Sequence, residues 1–267
     1  MGKEKRIYEL TAVSRLKEKG KEPEENRYRL VYNVHHLDTD ESKAFVYDKE
    51  LKMHFENPSG VTHLYEIETE ETEFTFCDRL KKSEELNRLL FLRYDFFRVR
   101  LSAGGKIVSI ENETELKDTW PLLKKKISGD YKGPRLKAYL EDVDVCYARG
   151  KLPKNALFRY LHLGLLIPQI PADHSDGWVM KRGVQLSEYE EETFDERVVY
   201  SGVVEGDRLY RVTGEKREEK KSRLGMFEGE IRMNPGELFP VRSTRDAAFN
   251  WGEDIEIGWH FELTRKK

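Results

Sequence analysis

Hydrophobic and polar residues alternate with a period of two through much of the first third of the chain. Ala44 to Glu56 places its aromatic and aliphatic side chains on one face and its charged side chains on the other. Arg27 to His36 repeats this pattern, and Val61 to Phe76 does so less cleanly. Such alternation predicts strands with one buried face. Residues 6–16 fit either a helix or a strand, and we favour a strand.

A short helix and a hairpin follow these strands. A helix of about ten residues is predicted to open near Ser83, whose hydroxyl can accept hydrogen bonds from free backbone amides. Phe97, Val99 and Leu101 then alternate up to Ala103-Gly104-Gly105, and the apolar pattern returns from Ile107 to Ile110. Two alternating runs around a glycine-rich turn predict a β-hairpin.

The middle of the chain has a helical period. Apolar residues recur at i, i+4, i+7 and i+11 in two segments: Leu116, Trp120, Leu123 and Ile127, then Leu136, Leu140, Val143 and Tyr147. Asn112 and Glu115 have the spacing of a capping box for the first helix, although Pro121 offers a start near Thr119. The second helix is predicted to begin at Pro134 and to end at Gly150. A third helix is predicted to begin at Pro153 and to stop before Pro168.

After Pro171 the pattern is strand-like to the end of the chain. Gly206-Asp207 is predicted to form a two-residue hairpin turn, and Asn234-Pro235-Gly236-Glu237 a type II turn. The sequence therefore predicts a single α+β domain with strands over 6–111, helices over 112–167 and strands over 178–265. We expect a large curved antiparallel sheet, an open half-barrel, wrapped around the central helical segment.

Composition narrows the classes of partner. Lysine and arginine total 47 against 50 acidic residues, giving a net charge of −3, with both signs mixed along the chain. A general nucleic-acid surface is not indicated, because phosphate binding needs a concentrated positive face. No stretch approaches the about 18 apolar residues of a membrane span, and no apolar run follows the first charged residues. We therefore expect a cytoplasmic protein without a membrane span, and two single cysteines, Cys77 and Cys146, fit a reducing compartment.

Several segments resemble catalytic or metal-binding motifs, and each has a simpler explanation. His35 and His36 are followed by acidic residues up to Glu41, but neighbouring strand histidines point to opposite faces. Asp173-His174-Ser175-Asp176 holds the residue types of a hydrolase triad, whose members meet through the fold and not through sequence adjacency. Gly104-Gly105-Lys106 lacks the remainder of a phosphate loop. We expect no cofactor, no metal site and no enzymatic activity.

Aromatic residues give the most informative candidates for a binding site. One group lies before the central helices: Phe91, Tyr94, Phe96 and Phe97. A second group lies in the last third: Trp178, Trp251 and Trp259. Core packing explains such residues, and so does a concave aromatic lining that holds an apolar ligand or peptide. We take Trp178, Trp251, Trp259, Phe91 and Phe97 as candidate contact residues.

Two segments carry a resemblance to a known class of proteins. The stretch Gly105-Lys106-Ile107-Val108-Ser109-Ile110-Glu111-Asn112, running on to Trp120 and Lys124, is similar to uncharacterised bacterial lipoprotein-like proteins. The stretch from Leu163 to Pro171, followed by Trp178, is similar to them as well. The resemblance implies a curved antiparallel sheet around helices, as in carriers of the LolA and LppX type, which hold lipid between sheet and helices.

Two functions from different classes remain open at the level of sequence. The first is a protein-binding module, such as an adaptor, a chaperone or an immunity-type partner, that uses the edge strands or concave face of the sheet. The second is a carrier or sensor of a small hydrophobic ligand or lipid. A sealed apolar cavity favours the carrier, whereas an open groove beside an unpaired edge favours the protein partner.

Overall fold

The computed structural model describes residues 24–36, 45–56, 62–75, 86, 89–90, 96–148, 161–171, 174–185, 193–216, 223–251 and 255–266. The strands in this part of the chain are β1 Glu24–His36, β2 Phe45–Glu56, β3 Thr62–Thr75, β4 Phe96–Ser102, β5 Ile107–Ile110, β6 Val179–Gln185, β7 Thr193–Val204, β8 Asp207–Lys216, β9 Arg223–Met233, β10 Arg242–Trp251 and β11 Ile255–Arg265. The helices are α1 Glu113–Asp130, α2 Pro134–Ala148 and α3 Leu161–Leu166.

All of these strands form one antiparallel sheet in the order β5-β4-β3-β2-β1-β11-β10-β9-β8-β7-β6. The sheet consists of two meanders, β1–β5 and β6–β11, and the helices lie between them in the chain. The first strand joins the meanders by pairing with the last, from Tyr28 opposite Arg265 to His36 opposite Ile257. The predicted α+β class and the large antiparallel sheet are confirmed.

Period-two burial accounts for the strands whose side chains are described. In β4, Phe97, Val99 and Leu101 are fully buried, and the residues between them are half-buried. The strands predicted from Arg27, Ala44 and Val61 correspond to β1, β2 and β3. The segment 6–16 and Ser83 lie outside the described residues, while three leucines just after Ser83 are buried and helical: Leu86, Leu89 and Leu90.

The helices bury the faces that their spacing predicts, but the first helix begins differently from the prediction. In α1 the buried residues are Leu116, Trp120 and Ile127, and α1 runs through Pro121 without starting at Thr119. The Asn112 side chain does not cap this helix. It accepts a hydrogen bond from the Arg98 amide at 2.9 Å and donates one to the Phe96 carbonyl at 3.0 Å. Asn112 is buried. Its side-chain amide takes the place of a neighbouring strand, because it forms the two hydrogen bonds that such a strand would form with β4.

One predicted turn is shifted by a residue and the other is confirmed. The β7–β8 turn is Glu205-Gly206, not Gly206-Asp207, since Val204 pairs with Asp207 and both turn residues have positive φ angles of 56° and 90°. These angles are those of a type I′ turn, whose twist matches that of the flanking strands. At Asn234–Glu237, Gly236 has a φ of 83° and the Glu237 amide donates to the Asn234 carbonyl at 3.2 Å, as a type II turn requires.

The segment from α3 to Ile170 is the buried link between the two meanders. Its apolar residues are at most 6% exposed: Leu163, Leu165, Leu166, Ile167 and Ile170. Gly105, in the β4–β5 turn, has a φ of 74° and packs closely against this segment. A Cβ atom at Gly105 would lie 3.2 Å from the Ile170 carbonyl oxygen and 3.6 Å from Cδ2 of Leu238 in the β9–β10 loop. The β4–β5 turn therefore contacts both the central segment and the second meander.

Candidate functional site

Strand β6 is an edge of the sheet with only one strand neighbour. It pairs with β7 from Val179 opposite Val199 to Gln185 opposite Thr193, and no strand in the described ranges pairs with its other side. We call the unpaired side of Val179–Gln185 the β6 edge.

The register determines which backbone groups point outward at the β6 edge. The Tyr200 amide donates to the Trp178 carbonyl at 3.1 Å, so these two residues form a hydrogen-bonded pair. In an antiparallel ladder, hydrogen-bonded and non-hydrogen-bonded pairs alternate along each strand. The amide and carbonyl groups of Val179, Lys181 and Gly183 therefore point away from β7, toward the β6 edge.

A buried cluster of three charged residues fixes β6 in place. We call Arg182, Glu196 and Arg245 the ion cluster. Arg182 Nε and Arg245 Nε each lie 2.5 Å from a different oxygen of the Glu196 carboxylate. Arg182 also donates from Nη1 to the Pro168 carbonyl at 3.2 Å and from Nη2 to the Gly164 carbonyl at 3.3 Å. The cluster thus connects β6, β7 and β10 to the end of α3.

The charges of the ion cluster outweigh the cost of burying a carboxylate. Glu196 and Arg245 are both fully buried. Burial alone raises the pKa of Glu196, but the charges and hydrogen bonds of the two arginines reverse this effect and lower its pKa to about 2. Glu196 is therefore ionised near neutral pH. Arg245 Nη2 is buried and has no hydrogen-bond acceptor among the described residues. The free-energy cost of removing this group from water is therefore not compensated by a hydrogen bond there.

Two glycines on the inner face leave space for neighbouring groups, one beside Arg245 of the ion cluster and one beside the Phe227 ring. A Cβ atom at Gly229, which pairs with Arg245, would lie 2.1 Å from the Thr244 carbonyl oxygen and 2.9 Å from Cδ of Arg245. A Cβ atom at Gly214 would lie 2.5 Å from the Phe227 ring. Real Cβ atoms do not approach other atoms so closely, so any larger residue at these positions forces a local shift of strand or side chain.

Four rings pack together beside the start of β6. We call His174, Trp178, Tyr200 and Tyr210 the aromatic cluster. The His174 ring stacks on Trp178 with centroids 5.2 Å apart and meets Tyr200 and Tyr210 edge-on at 5.0 and 5.5 Å. His174 Nε2 lies 2.5 Å from the Tyr210 hydroxyl oxygen. Burial raises the pKa of Tyr210, against the opposing charge and hydrogen bond of Arg208.

Apolar side chains are exposed on either side of this cluster. Val179, the first residue of β6, is 41% exposed, and Val203 near the β7–β8 turn is 59% exposed. The β7–β8 hairpin projects past the start of β6, because Val179 pairs with Val199 while β7 continues to Val204. The aromatic cluster therefore lies where the β6 edge meets a projecting hairpin.

Three basic residues lie close together on the outer face beside the β6 edge, with acidic residues on the same strands around them. Lys181 pairs directly with Arg197, and Arg211 on β8 pairs with Val199, so the three residues lie on one face. We call Lys181, Arg197 and Arg211 the basic patch. All three are exposed, and none forms a salt bridge with a carboxylate of the described residues.

The structure separates the predicted contact residues. Trp178 is half-buried in the aromatic cluster beside the β6 edge. Trp259 is half-buried on β11, with its ring 6.4 Å from that of Phe261. Phe97 is fully buried in the core, where it has no exposed surface. The side chain of Trp251 and all of Phe91 lie outside the described residues.

The ion cluster and the basic patch were missed by sequence reasoning, although the sequence held a signal for the first. Glu196 stands between Phe194 and Val198 in the buried phase of β7, and Arg245 lies between Ser243 and Ala247 in the buried phase of β10. A charge in the apolar phase of an alternating strand predicts a buried ion pair. The basic patch had no such signal, because its cross-strand pairing depends on the register of β6 and β7.

The remaining candidate chemistry has simple structural roles where it is described. His174 Nδ1 lies 3.2 Å from the carbonyl oxygen of Ser175, and its other ring nitrogen contacts Tyr210, so it does not face the Ser175 hydroxyl as a triad would require. Gly104 and Gly105 form the β4–β5 turn, as expected. Asp173, Cys77 and residues 37–41 lie outside the described residues, as do the side chains of His35 and His36.

A surface cavity lies away from the β6 edge, in the second meander. A cavity of about 330 Å³ lies at the far end of the β8–β9 hairpin and is lined by Gly214, Glu215, Lys216, Leu224, Gly225, Met226 and Phe227. Within the described ranges, each helix is too short or too polar to cross a bilayer.

Comparisons with known proteins add little to this geometry. No protein-family model matches the chain, and no curated protein matches it. A solved structure of lipovitellin, described as showing lipid-protein interactions, aligns with 91% of this chain and 25% of its own chain, at 9% identity and a TM-score of 0.41. The chain thus spans about a quarter of that structure. A similarity at this level carries no argument about function.

Proposed function

We propose that this protein is a non-catalytic binding module that captures an extended polypeptide segment by adding it as a further strand at the β6 edge. The observation that carries the proposal is the outward direction of the backbone groups of Val179, Lys181 and Gly183. In strand addition, such groups supply main-chain hydrogen bonds, and neighbouring side chains supply specificity.

The contrast with the opposite edge supports this choice. Proteins protect sheet edges by shortening or covering them. Strand β5 has four residues, and the buried Asn112 side chain occupies the hydrogen-bonding positions beyond it on β4. Strand β6 has seven residues and no comparable cover in the described part of the chain. A partner strand therefore has more backbone to pair with at β6.

The ion cluster supports a rigid β6 edge. Arg182 projects from β6 to the inner face and joins Glu196 and two carbonyl groups at the end of α3. A strand held on its inner face by charge-assisted hydrogen bonds loses little further freedom when a partner binds to its outer side. Trp178, immediately before β6, stays a predicted contact residue.

A curved sheet is part of this proposal. Strands β4 and β10 are five positions apart in the sheet, which corresponds to about 24 Å in a flat sheet. The contact of Gly105 with Leu238, just before β10, favours a sheet that curls around α3 into the proposed half-barrel. The inner face beneath α3 is filled by buried side chains, which favours a protein partner at the edge over a lipid in the interior.

A peptide-display selection on the purified protein tests the proposed function. Random peptides are selected on the wild-type protein and then compared for binding to Gly183→Pro and Gly183→Ala. Proline removes the outward amide without removing a β6–β7 hydrogen bond, and Gly183 is not among the glycines with a positive φ. Alanine keeps the amide and is the matched control.

We expect selected peptides that bind the wild type and Gly183→Ala but not Gly183→Pro. Thermal melting must first show that both variants are folded. If every selected peptide binds Gly183→Pro as tightly as it binds the wild type, strand addition at β6 is wrong. A selection that enriches no peptide at all leads to the same conclusion.

A further inference from the structure

We infer that the segment bound at the β6 edge is acidic, with an aspartate or glutamate directly opposite Lys181. This inference rests on the proposed function and adds the chemical class of the partner. It is carried by the basic patch, whose residues lie on the outer face next to the outward-pointing backbone groups.

The basic patch is an arrangement that a folded sheet normally avoids. Lys181 and Arg197 are direct cross-strand partners on an exposed face, and like charges directly opposite each other destabilise a sheet. Arg211 lies diagonal to Arg197 on the next strand. Arg211 lies directly opposite Glu230 on β9, so it already has an acidic cross-strand partner. Lys181 and Arg197 have no acidic residue directly opposite them in the described strands, and an added strand can supply a negative charge beside Lys181.

The register places that negative charge at one position of the partner. Lys181 has outward backbone groups, so it forms a hydrogen-bonded pair with the residue opposite it on an added strand, with Cα atoms about 5.5 Å apart. The side chain of that residue emerges on the same outer face as Lys181 and Arg197. A carboxylate there contacts Lys181 and is attracted by Arg197.

The neighbouring positions extend the predicted pattern. Val179 is exposed on the outer face beside Val199, which favours an apolar residue opposite Val179. Gly183 pairs with Asp195 and has no side chain that would separate Asp195 from the partner strand. A second carboxylate opposite Gly183 would therefore be repelled by Asp195. On the outer face of the partner strand we therefore expect an apolar residue opposite Val179 and an acidic residue opposite Lys181. The residue opposite Gly183 is expected not to be acidic.

The basic patch also disfavours a second copy of this chain as the partner. Two β6 strands paired antiparallel about a two-fold axis near Arg182 would bring two Lys181 side chains onto one face. Lysine on an edge strand is a known guard against such self-pairing. The same charge that repels a copy attracts an acidic segment, which is how a specific interface uses repulsion and attraction together.

The peptides that distinguish wild type from Gly183→Pro provide the test. We expect acidic residues to be enriched at one alternate position of these peptides. A synthetic peptide with glutamate at that position should bind about tenfold more tightly than its lysine counterpart, with the glutamine peptide between them. Added salt should weaken the binding of the glutamate peptide and leave the binding of the glutamine peptide nearly unchanged.

Charge reversal on the protein provides the matched test. Lys181→Glu should invert the preference, so that the lysine peptide binds more tightly than the glutamate peptide. Lys126→Glu, an exposed α1 residue with the same change of charge, should leave the preference unchanged. Selected peptides that need the Gly183 amide but show no acidic preference, or a preference that Lys181→Glu does not alter, would overturn the acidic partner and leave strand addition intact. If no selected peptide depends on the Gly183 amide for binding, both strand addition at the β6 edge and the acidic partner are wrong.

Discussion

Replacing Glu196 by glutamine tests the energetic role of the ion cluster most directly. The change keeps the size of the side chain but removes the negative charge that, among the described residues, lies between Arg182 and Arg245. One amide oxygen can still accept a hydrogen bond, while the amide nitrogen now faces a guanidinium donor. Arg245 is fully buried, so the variant leaves an uncompensated charge in the core.

The loss of folding stability has a similar magnitude whether it is taken from buried ion pairs in general or from the pKa of Glu196. Removing one partner of a buried ion pair typically costs about 3–5 kcal/mol. The pKa of Glu196 falls from 4.5 to about 2 on folding, which corresponds to about 3 kcal/mol of stability above pH 5. At about 2–4 °C per kcal/mol for a domain of this size, Glu196→Gln should lower the melting temperature by on the order of 10 °C.

The pH dependence gives the sign of the effect. Because the pKa of Glu196 is lower in the folded state, its ionisation stabilises the protein above the unfolded-state pKa of 4.5. That stability is lost as the pH falls toward 2, when the carboxylate becomes protonated in the folded state too. The difference in unfolding free energy between wild type and Glu196→Gln should therefore shrink between pH 5 and pH 2.

Urea denaturation across this pH range is the assay, with melting temperature as a second measurement. Glu230→Gln, at an exposed position on the outer face of β9 opposite Arg211, is the matched control and should lose at most about 1 kcal/mol. Adding Arg245→Met to Glu196→Gln should recover part of the stability, since it removes the unpaired buried charge. A Glu196→Gln variant with wild-type stability at pH 7, or a difference that does not change with pH, would refute a buried and ionised Glu196.

Three further substitutions test the local geometry, each by urea denaturation against wild type. Asn112→Ala should cost about 2–3 kcal/mol, because it leaves two backbone groups of β4 without partners; an unchanged stability would contradict the buried contacts. Gly229→Ala should cost at least about 2 kcal/mol, since the new Cβ would meet the Thr244 carbonyl oxygen at 2.1 Å; normal stability would show that the strands are farther apart. Glu205→Asn should stabilise the protein by about 0.5–1 kcal/mol, because asparagine tolerates the positive φ of this turn; a loss of stability would argue against type I′ geometry.

Local patterns in the sequence determined most of the elements. Period-two alternation identified β1 to β4 because a strand between core and solvent must place its apolar residues on one face. The helical spacing from Leu116 to Ile127 and from Leu136 to Tyr147 identified α1 and α2 for the corresponding reason. Pro235-Gly236 identified a turn, because its two dihedral preferences are intrinsic to those residues.

The tertiary structure decided what those patterns leave open. The Asn112 side chain can either cap a helix or form hydrogen bonds with backbone groups of β4. Which of these it does depends on how close β4 lies to the start of α1. Trp178 and Phe97 were equal candidates from the sequence. The fold places one beside a sheet edge and the other in the core, since burial depends on contacts between distant segments.

The same division holds for the candidate site. The sequence by itself predicted strands over residues 178–265. It also held an unused signal for Glu196 and Arg245, which are charged residues in the apolar phase of β7 and β10. Only the pairing of β6 with β7 determined that Lys181 faces Arg197, because a shift of one residue would place Lys181 on the other face of the sheet. Only the strand order made β6 an edge, since edge position depends on long-range pairing that no local sequence pattern encodes.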